Sequence, residues 1–111
     1  MAEITYLEAI REALDEEMAR DQNVFMLGQD IGAFGGAFKV TEGLMAKYGE
    51  QRVIDAPISE IAIVGAAAGA AHMGMRPVVE MQFIDFVANA YDMLTNYVAT
   101  ARYRAFLGCP M

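Results

Sequence analysis

The chain has 111 residues, enough for one domain with its own core, and 56% of them are hydrophobic. That fraction exceeds the roughly 45–50% of ordinary globular domains on a similar count, so part of the apolar surface is expected to lie under a partner. A net charge of −7, with eight Lys and Arg scattered except for Arg102 and Arg104, excludes a nucleic-acid surface, which needs clustered cations.

Cys109 is the single cysteine, so no intrachain disulfide is possible, and no His or Cys grouping has zinc-ligand spacing. Met1 to Thr5 lacks the basic-then-apolar pattern of a secretory leader. The apolar run from Ile61 to Met75 carries His72 and is shorter than the about 20 residues of a membrane span. The expectation is a cytoplasmic protein without a membrane partner, or a mitochondrial-matrix one if a presequence is removed.

Thr5 and Glu8 have capping-box spacing, and Leu7, Ile10, Leu14 and Met18 recur on one face. Together they predict a helix that Asp21-Gln22-Asn23 breaks, with Glu12, Asp15, Glu16 and Arg20 on its solvated side. Val24 to Leu27 is the first buried strand. The loop from Gly28 to Lys39 is rich in glycine, yet its spacing fits neither the dinucleotide fingerprint nor the P-loop. It reads as a surface loop anchored by Phe34 and Phe38, able to line a ligand channel because it follows a strand. Thr41 is expected to cap a short helix that runs through Tyr48 and is closed by Gly49.

Arg52 to Asp55 forms the second strand, and Ser59 is the expected N-cap of the next helix. That helix is almost wholly Ala, Gly, Ile and Val up to a Gly74 stop. Gly65 and Gly69 each cost about 1 kcal/mol relative to Ala inside a helix, which implies close packing in the domain or at a subunit contact. His72, near its end, reads as a packed residue. Pro77 to Met81 is the third strand, since Pro is tolerated at a strand's first position. Asp85 to about Phe106 reads as the longest helix, with Phe86, Ala90, Met93, Leu94, Tyr97 and Ala101 as its apolar stripe. Leu107 to Met111 reads as a turn entering a further strand, so a fragment is expected.

Helices alternating with three short apolar strands predict an α/β fold, a three-layer parallel sheet with helices on both faces. In such sheets ligands bind outside the carboxyl ends of the strands. Glu60 falls at one of those ends, where the second strand gives way to the apolar helix. It is the leading candidate for chemistry.

The collinear stretches Leu27-Gly28 through Gly36, Val40 to Leu44, Arg52 to Asp55, Pro57-Ile58-Ser59-Glu60, Arg76 to Glu80 and Phe83 to Phe86 resemble one family. It is the beta subunit of the E1 component of thiamine-diphosphate-dependent 2-oxo acid dehydrogenases, acting on pyruvate or branched-chain 2-oxo acids. The resemblance implies a transketolase-like pyrimidine-binding domain, incomplete at its C-terminus, with a further C-terminal domain missing. It implies thiamine diphosphate as cofactor, with Glu60 matching the glutamate that hydrogen-bonds the pyrimidine N1′ so that the cofactor's imino group becomes the base. An apolar setting for that carboxyl disfavours its charge, and the helix N-terminus opposes this. Phe86 matches the aromatic packed on the aminopyrimidine, and Gln82 and Asn89 match positions lining the same cleft. The family usually has Glu where this chain has Gln29, which cannot carry an ionisable proton.

The implied partners are an E1 alpha subunit, which holds Mg2+ and the diphosphate in an alpha2beta2 heterotetramer, and the lipoyl-bearing E2 that receives the acyl group. The regions around Gln82 and Arg102-Tyr103-Arg104 lie closer to branched-chain or broad-specificity members. Acetoin dehydrogenase, and a non-catalytic α/β module whose Ala-Gly helix docks a partner, are the alternatives. The Pro57 to Glu60 block argues against a sulfonate or phosphonate decarboxylase.

Overall fold

The computed structural model describes residues 3–105, so Cys109 and the expected turn at Leu107 to Met111 lie outside the described residues. Helix α1 (Tyr6–Arg20) begins with the expected capping box. The Glu8 amide donates to Thr5 Oγ1 at 3.2 Å, and the Thr5 amide donates to Glu8 Oε2 at 2.7 Å. The Thr5 amide first, and the Thr5 hydroxyl that also donates to Glu8 Oε2 second, hold the Glu8 carboxyl below its ordinary range. The other elements are β1 (Val24–Gly28), α2 (Leu44–Tyr48), β2 (Val53–Asp55), α3 (Glu60–His72), β3 (Arg76–Val79), a 3-10 helix (Ile84–Ala90), a π-helix (Met93–Val98) and α4 (Ala101–Ala105).

The three strands form one sheet in the order β2-β1-β3, parallel throughout. Met26 at its centre is in register with Val53 on one side and Val78 on the other. Side chains alternate across a strand, and β1 divides its residues accordingly. Val24 and Met26 pack with Met18, Ile31, Leu44 and Val53 beneath α1 and α2. Phe25 and Leu27 pack with Ile63 of α3 on the opposite face. Helices therefore cover both faces, as the alternation of elements predicted. Arg52 ties the first layer together, donating from Nε to Val24 O at 3.0 Å and from its terminal nitrogen to Met18 O at 2.8 Å and Asp21 O at 2.9 Å.

Three local expectations are corrected. Thr41 does not cap α2. Gly43 takes the N-cap at φ 84°, while the buried Thr41 hydroxyl donates to Ile31 O at 2.6 Å and fixes the preceding loop. Phe34 and Phe38 are both exposed; backbone and polar bonds hold the loop, and of the two rings Phe38 alone meets a ring of another segment among the described residues, Phe83. Helix α3, expected to pack in the domain or at a subunit contact, buries one side within this chain. Ile63, Val64, Ala67, Ala68 and Ala71 are inward, and Ile61, Ala62, Ala66 and Gly69 are exposed. Finally, the segment after β3 is not one regular helix. It runs from 3-10 to π geometry and turns before α4, and Thr95 and Thr100 donate to the carbonyls of Tyr91 and Asn96 at 2.9 and 2.7 Å. Such side-chain bonds compete with the helical ladder. No helix among the described residues is long and apolar enough to cross a membrane.

Candidate functional site

Because the strands are parallel, their carboxyl ends gather Gln29 and Asp30 after β1, the Ala56 to Glu60 segment after β2, and Glu80 to Phe86 after β3. The helices that follow β1 and β2 lie on opposite faces, α2 with the Met26 side and α3 with the Leu27 side. A crevice opens where adjacent strands send their connections to opposite faces, and this is the usual ligand position in open α/β sheets.

Glu60 begins α3 on the β2 side of that crevice and is only 8% exposed. Ser59 occupies the N-cap, as expected, but its hydroxyl makes no capping bond, so the first-turn amides are not closed by that side chain. A buried acid with open amides beside it can exchange a proton with, or bond to, a polar ring presented from the crevice.

The glycine-rich loop is laid over the same end of the sheet. The Gly32 amide donates at 2.6 Å to Oδ1 of Asp55, the last residue of β2. A Cβ at Gly32 would collide with the Asp55 carboxyl and with Met45, so a larger residue must displace those side chains and disturb the pin. Gly28 is required for a similar reason. A Cβ there would lie 2.9 Å from Glu80 Cβ and 3.2 Å from Glu80 O.

That close approach sets Glu80 beside the β1 corner. Its Oε2 is the buried side-chain oxygen without a hydrogen-bond partner among the described residues. Burial first, and the charge of Asp30 second, push the Glu80 carboxyl above its ordinary range. Gln82 spans the same corner, its Nε2 lying 3.4 Å from both Gln29 O and Asp30 Oδ2. The loop and the β3 end also share an aromatic row: Phe38 meets Phe83 edge-on at 5.5 Å, and Phe83 meets Phe86 edge-on at 5.7 Å. Phe86 is 36% exposed, so part of its surface remains available to a ligand. Asn89 is exposed on the same 3-10 helix, one turn beyond Phe86.

The structure thus joins Gln82 to the β1 corner, sets Phe86 in the aromatic row and buries Glu60 at the β2–α3 junction; Asn89 lies at the periphery. Sequence reasoning missed Asp30, Asp55, Phe83 and Glu80 as parts of this end of the sheet. Glu80 had left a signal, a lone acid closing the apolar run of β3. A cavity of about 530 Å³ lies elsewhere, between α3, β3 and the π-helix, and its lining of Val64, Ala68, Val78, Leu94 and Val98 is nearly all apolar. Binding there is a matter of packing; the groups able to move protons stand at the strand ends.

Comparison with known proteins agrees with the α/β fold. The profile of the transketolase pyrimidine-binding domain matches residues 2–109. The chain belongs to the transketolase pyrimidine-binding domain family. It is 49% identical over 105 residues to the 2-oxoisovalerate dehydrogenase subunit beta of Bacillus subtilis (strain 168), covering 95% of this chain and 32% of that protein. It is 52% identical over 102 residues to the subunit of the same name from Pseudomonas aeruginosa, covering 92% and 29%. The pyruvate dehydrogenase E1 component subunit beta of Staphylococcus epidermidis is 45% identical over 105 residues, with 95% and 32% covered. The chain therefore spans about a third of the length of these curated relatives.

Proposed function

We propose that this chain is the N-terminal portion of the pyrimidine-binding domain in the beta subunit of a thiamine-diphosphate-dependent 2-oxo acid dehydrogenase. The observation that carries this reading is Glu60, buried at the junction of β2 and α3 within the Pro57-Ile58-Ser59-Glu60 block. The names of the relatives support it.

Glu60 would bond the N1′ nitrogen of the pyrimidine and share a proton with it. Phe86 would pack against the ring, a contact worth about 0.5–1.5 kcal/mol beyond burial. Gln82 and Asn89 would line the cleft, and the Gly32–Asp55 pin would hold the loop that closes it. When bound, thiamine diphosphate supplies a carbon acid and electron sink for loss of CO2 from a 2-oxo acid. The Mg2+ and diphosphate contacts fall to an alpha subunit, which completes the site in an alpha2beta2 heterotetramer. The acyl group then passes to the lipoyl-bearing E2. The exposed Ile61, Ala62, Ala66 and Gly69 on α3 suit close packing against such a subunit. Identity is higher to the 2-oxoisovalerate than to the pyruvate enzymes cited, which favours a branched-chain 2-oxo acid as substrate. The assembled enzyme belongs in the compartment of that metabolism, the bacterial or archaeal cytoplasm or the mitochondrial matrix.

The test is Glu60→Gln in the complete enzyme. Decarboxylation of 2-oxoisovalerate is expected to fall by about 10²-fold or more while the heterotetramer still assembles. Near-normal turnover in the assembled variant would refute the role.

A further inference from the structure

We propose that Phe38, carried on the glycine-rich loop, is a positioning residue for the cofactor ring, acting through Phe83 on the tilt of Phe86. This rests on the reading of Phe86 as the aromatic that packs against the aminopyrimidine. The loop gives Phe38 a fixed base. The Gly36 amide donates to Asp30 O at 2.8 Å and the Thr41 amide to Gly35 O at 3.1 Å. Arg11 of α1 donates from Nε to Val40 O at 3.0 Å, and the Thr41 hydroxyl holds Ile31 O from below. Within this frame the Lys39 amide donates to Gly36 O at 3.1 Å, closing a tight turn with Phe38 as its third residue. The turn leaves the Phe38 ring 56% exposed, outside both apolar clusters.

Phe83 stands just before the 3-10 helix, and its carbonyl accepts from the Phe86 amide at 3.1 Å. In 3-10 geometry residues three apart are nearly eclipsed, so the backbone puts these two side chains on one side of the turn. It does not set the tilt of their rings, which are 50% and 36% exposed and belong to neither buried cluster. Edge-on contacts supply that tilt. Phe38 and Phe83 lie 5.5 Å apart with 70° between their planes, and Phe83 and Phe86 lie 5.7 Å apart with 80°. The positive edge of one ring meets the negative face of the next, so turning one ring spoils the angle of its neighbour. The row thereby passes the fixed position of the loop to the ring beside the crevice. Phe34, on the same loop and equally exposed, lies under the Lys39 ammonium at 3.5 Å and belongs to that pair rather than to the row. It is the natural control.

The experiment titrates thiamine diphosphate into the assembled heterotetramer with Mg2+, followed by calorimetry. Phe38→Leu, apolar but without a ring, is expected to raise the Kd about threefold or more. Phe38→Tyr and Phe34→Leu should leave it unchanged. Phe83→Leu should raise it as much as Phe38→Leu does, and the two together should do no more than one, because the row acts as a unit. Magnesium pyrophosphate, which lacks the pyrimidine, should bind all these proteins alike.

An unchanged Kd in Phe38→Leu, or an equal loss in Phe34→Leu or for magnesium pyrophosphate, would overturn the proposal. So would a full second loss when Phe38→Leu is added to Phe83→Leu. If Phe38→Leu does not assemble, Phe38→Ala is read against the same outcomes. Phe86→Leu separates the two layers of the reading. A raised Kd there beside an unchanged one in Phe38→Leu sinks the role of Phe38 alone; an unchanged Kd in Phe86→Leu sinks the role of Phe86 and that of Phe38 with it.

Discussion

The two flanks of β1 differ in how they are finished. On the β2 side, Val53 is fully buried with Met18, Met26, Ile31 and Leu44, and Arg52 and Thr41 stitch helix, strand and loop together. On the β3 side, Val78 in the same register is half-exposed and borders the apolar cavity that reaches Leu94 and Val98. One flank completes its own core. The other leaves apolar surface for something else to cover. The candidate site lies across the boundary, with Glu60 on the sealed flank and Glu80, Gln82 and Phe86 on the open one. A site built this way has one wall sealed within the domain and one wall left partly open.

This contrast can be broken by substitution. The largest loss is expected for Met26→Ala, at 1% exposure the centre of the sheet, at about 2–5 kcal/mol of unfolding free energy. Gly32→Ala should cost about 1–3 kcal/mol, because the new Cβ overpacks against Asp55 and Met45, and it should also loosen cofactor binding. Val53→Ala and Val78→Ala give the sharper test, since both residues flank Met26 in register. The first should cost about 1–2 kcal/mol and the second clearly less, because less surface leaves water at a half-exposed position. Denaturant unfolding of the chain checks all four. Equal costs at Val53 and Val78 would remove the distinction between the flanks, and a gap that narrows in the heterotetramer would show the open flank being covered.

The smallest effect belongs to the surface clamp between α1 and α2. Lys47 donates to Asp15 at 2.6 Å and Tyr48 OH donates to Asp15 Oδ1 at 2.7 Å, bonds that hold the Asp15 carboxyl below its ordinary range. A lowered carboxyl contributes stability above its unfolded value and loses it as pH falls through the folded one. Asp15→Asn should therefore lower Tm slightly at neutral pH, less so in high salt and not at all in strong acid, as thermal scans would show.

Much of the architecture was legible because it rests on local patterns. The capping box at Thr5, the apolar runs of all three strands, the Ser59 to Glu60 boundary and the parallel order of the sheet follow from periodicity and alternation. What escaped depends on contacts distant in sequence. Thr41 looks like a cap but serves Ile31, a buried partner that no local rule reveals. Phe38 looks like a loop anchor but belongs to a row completed by Phe83 and Phe86. The segment from Ile84 onward has a good apolar stripe, yet threonine hydroxyls and packing against α3 leave it irregular. Glu60 was visible because a strand end, a helix start and a family motif coincide there. The close meeting of Gly28 with Glu80 was not, since it joins residues brought together only by β1–β3 pairing.

The central claim is that the Glu60 carboxyl hydrogen-bonds the pyrimidine of bound thiamine diphosphate and thereby promotes loss of the thiazolium C2 proton. Hydrogen–deuterium exchange at that carbon, followed by NMR in the assembled enzyme without substrate, measures this step alone. The expected result is rapid exchange in the unaltered protein and exchange near the rate of free cofactor in Glu60→Gln, with the cofactor bound in both. Equal exchange rates in the two proteins would contradict the account.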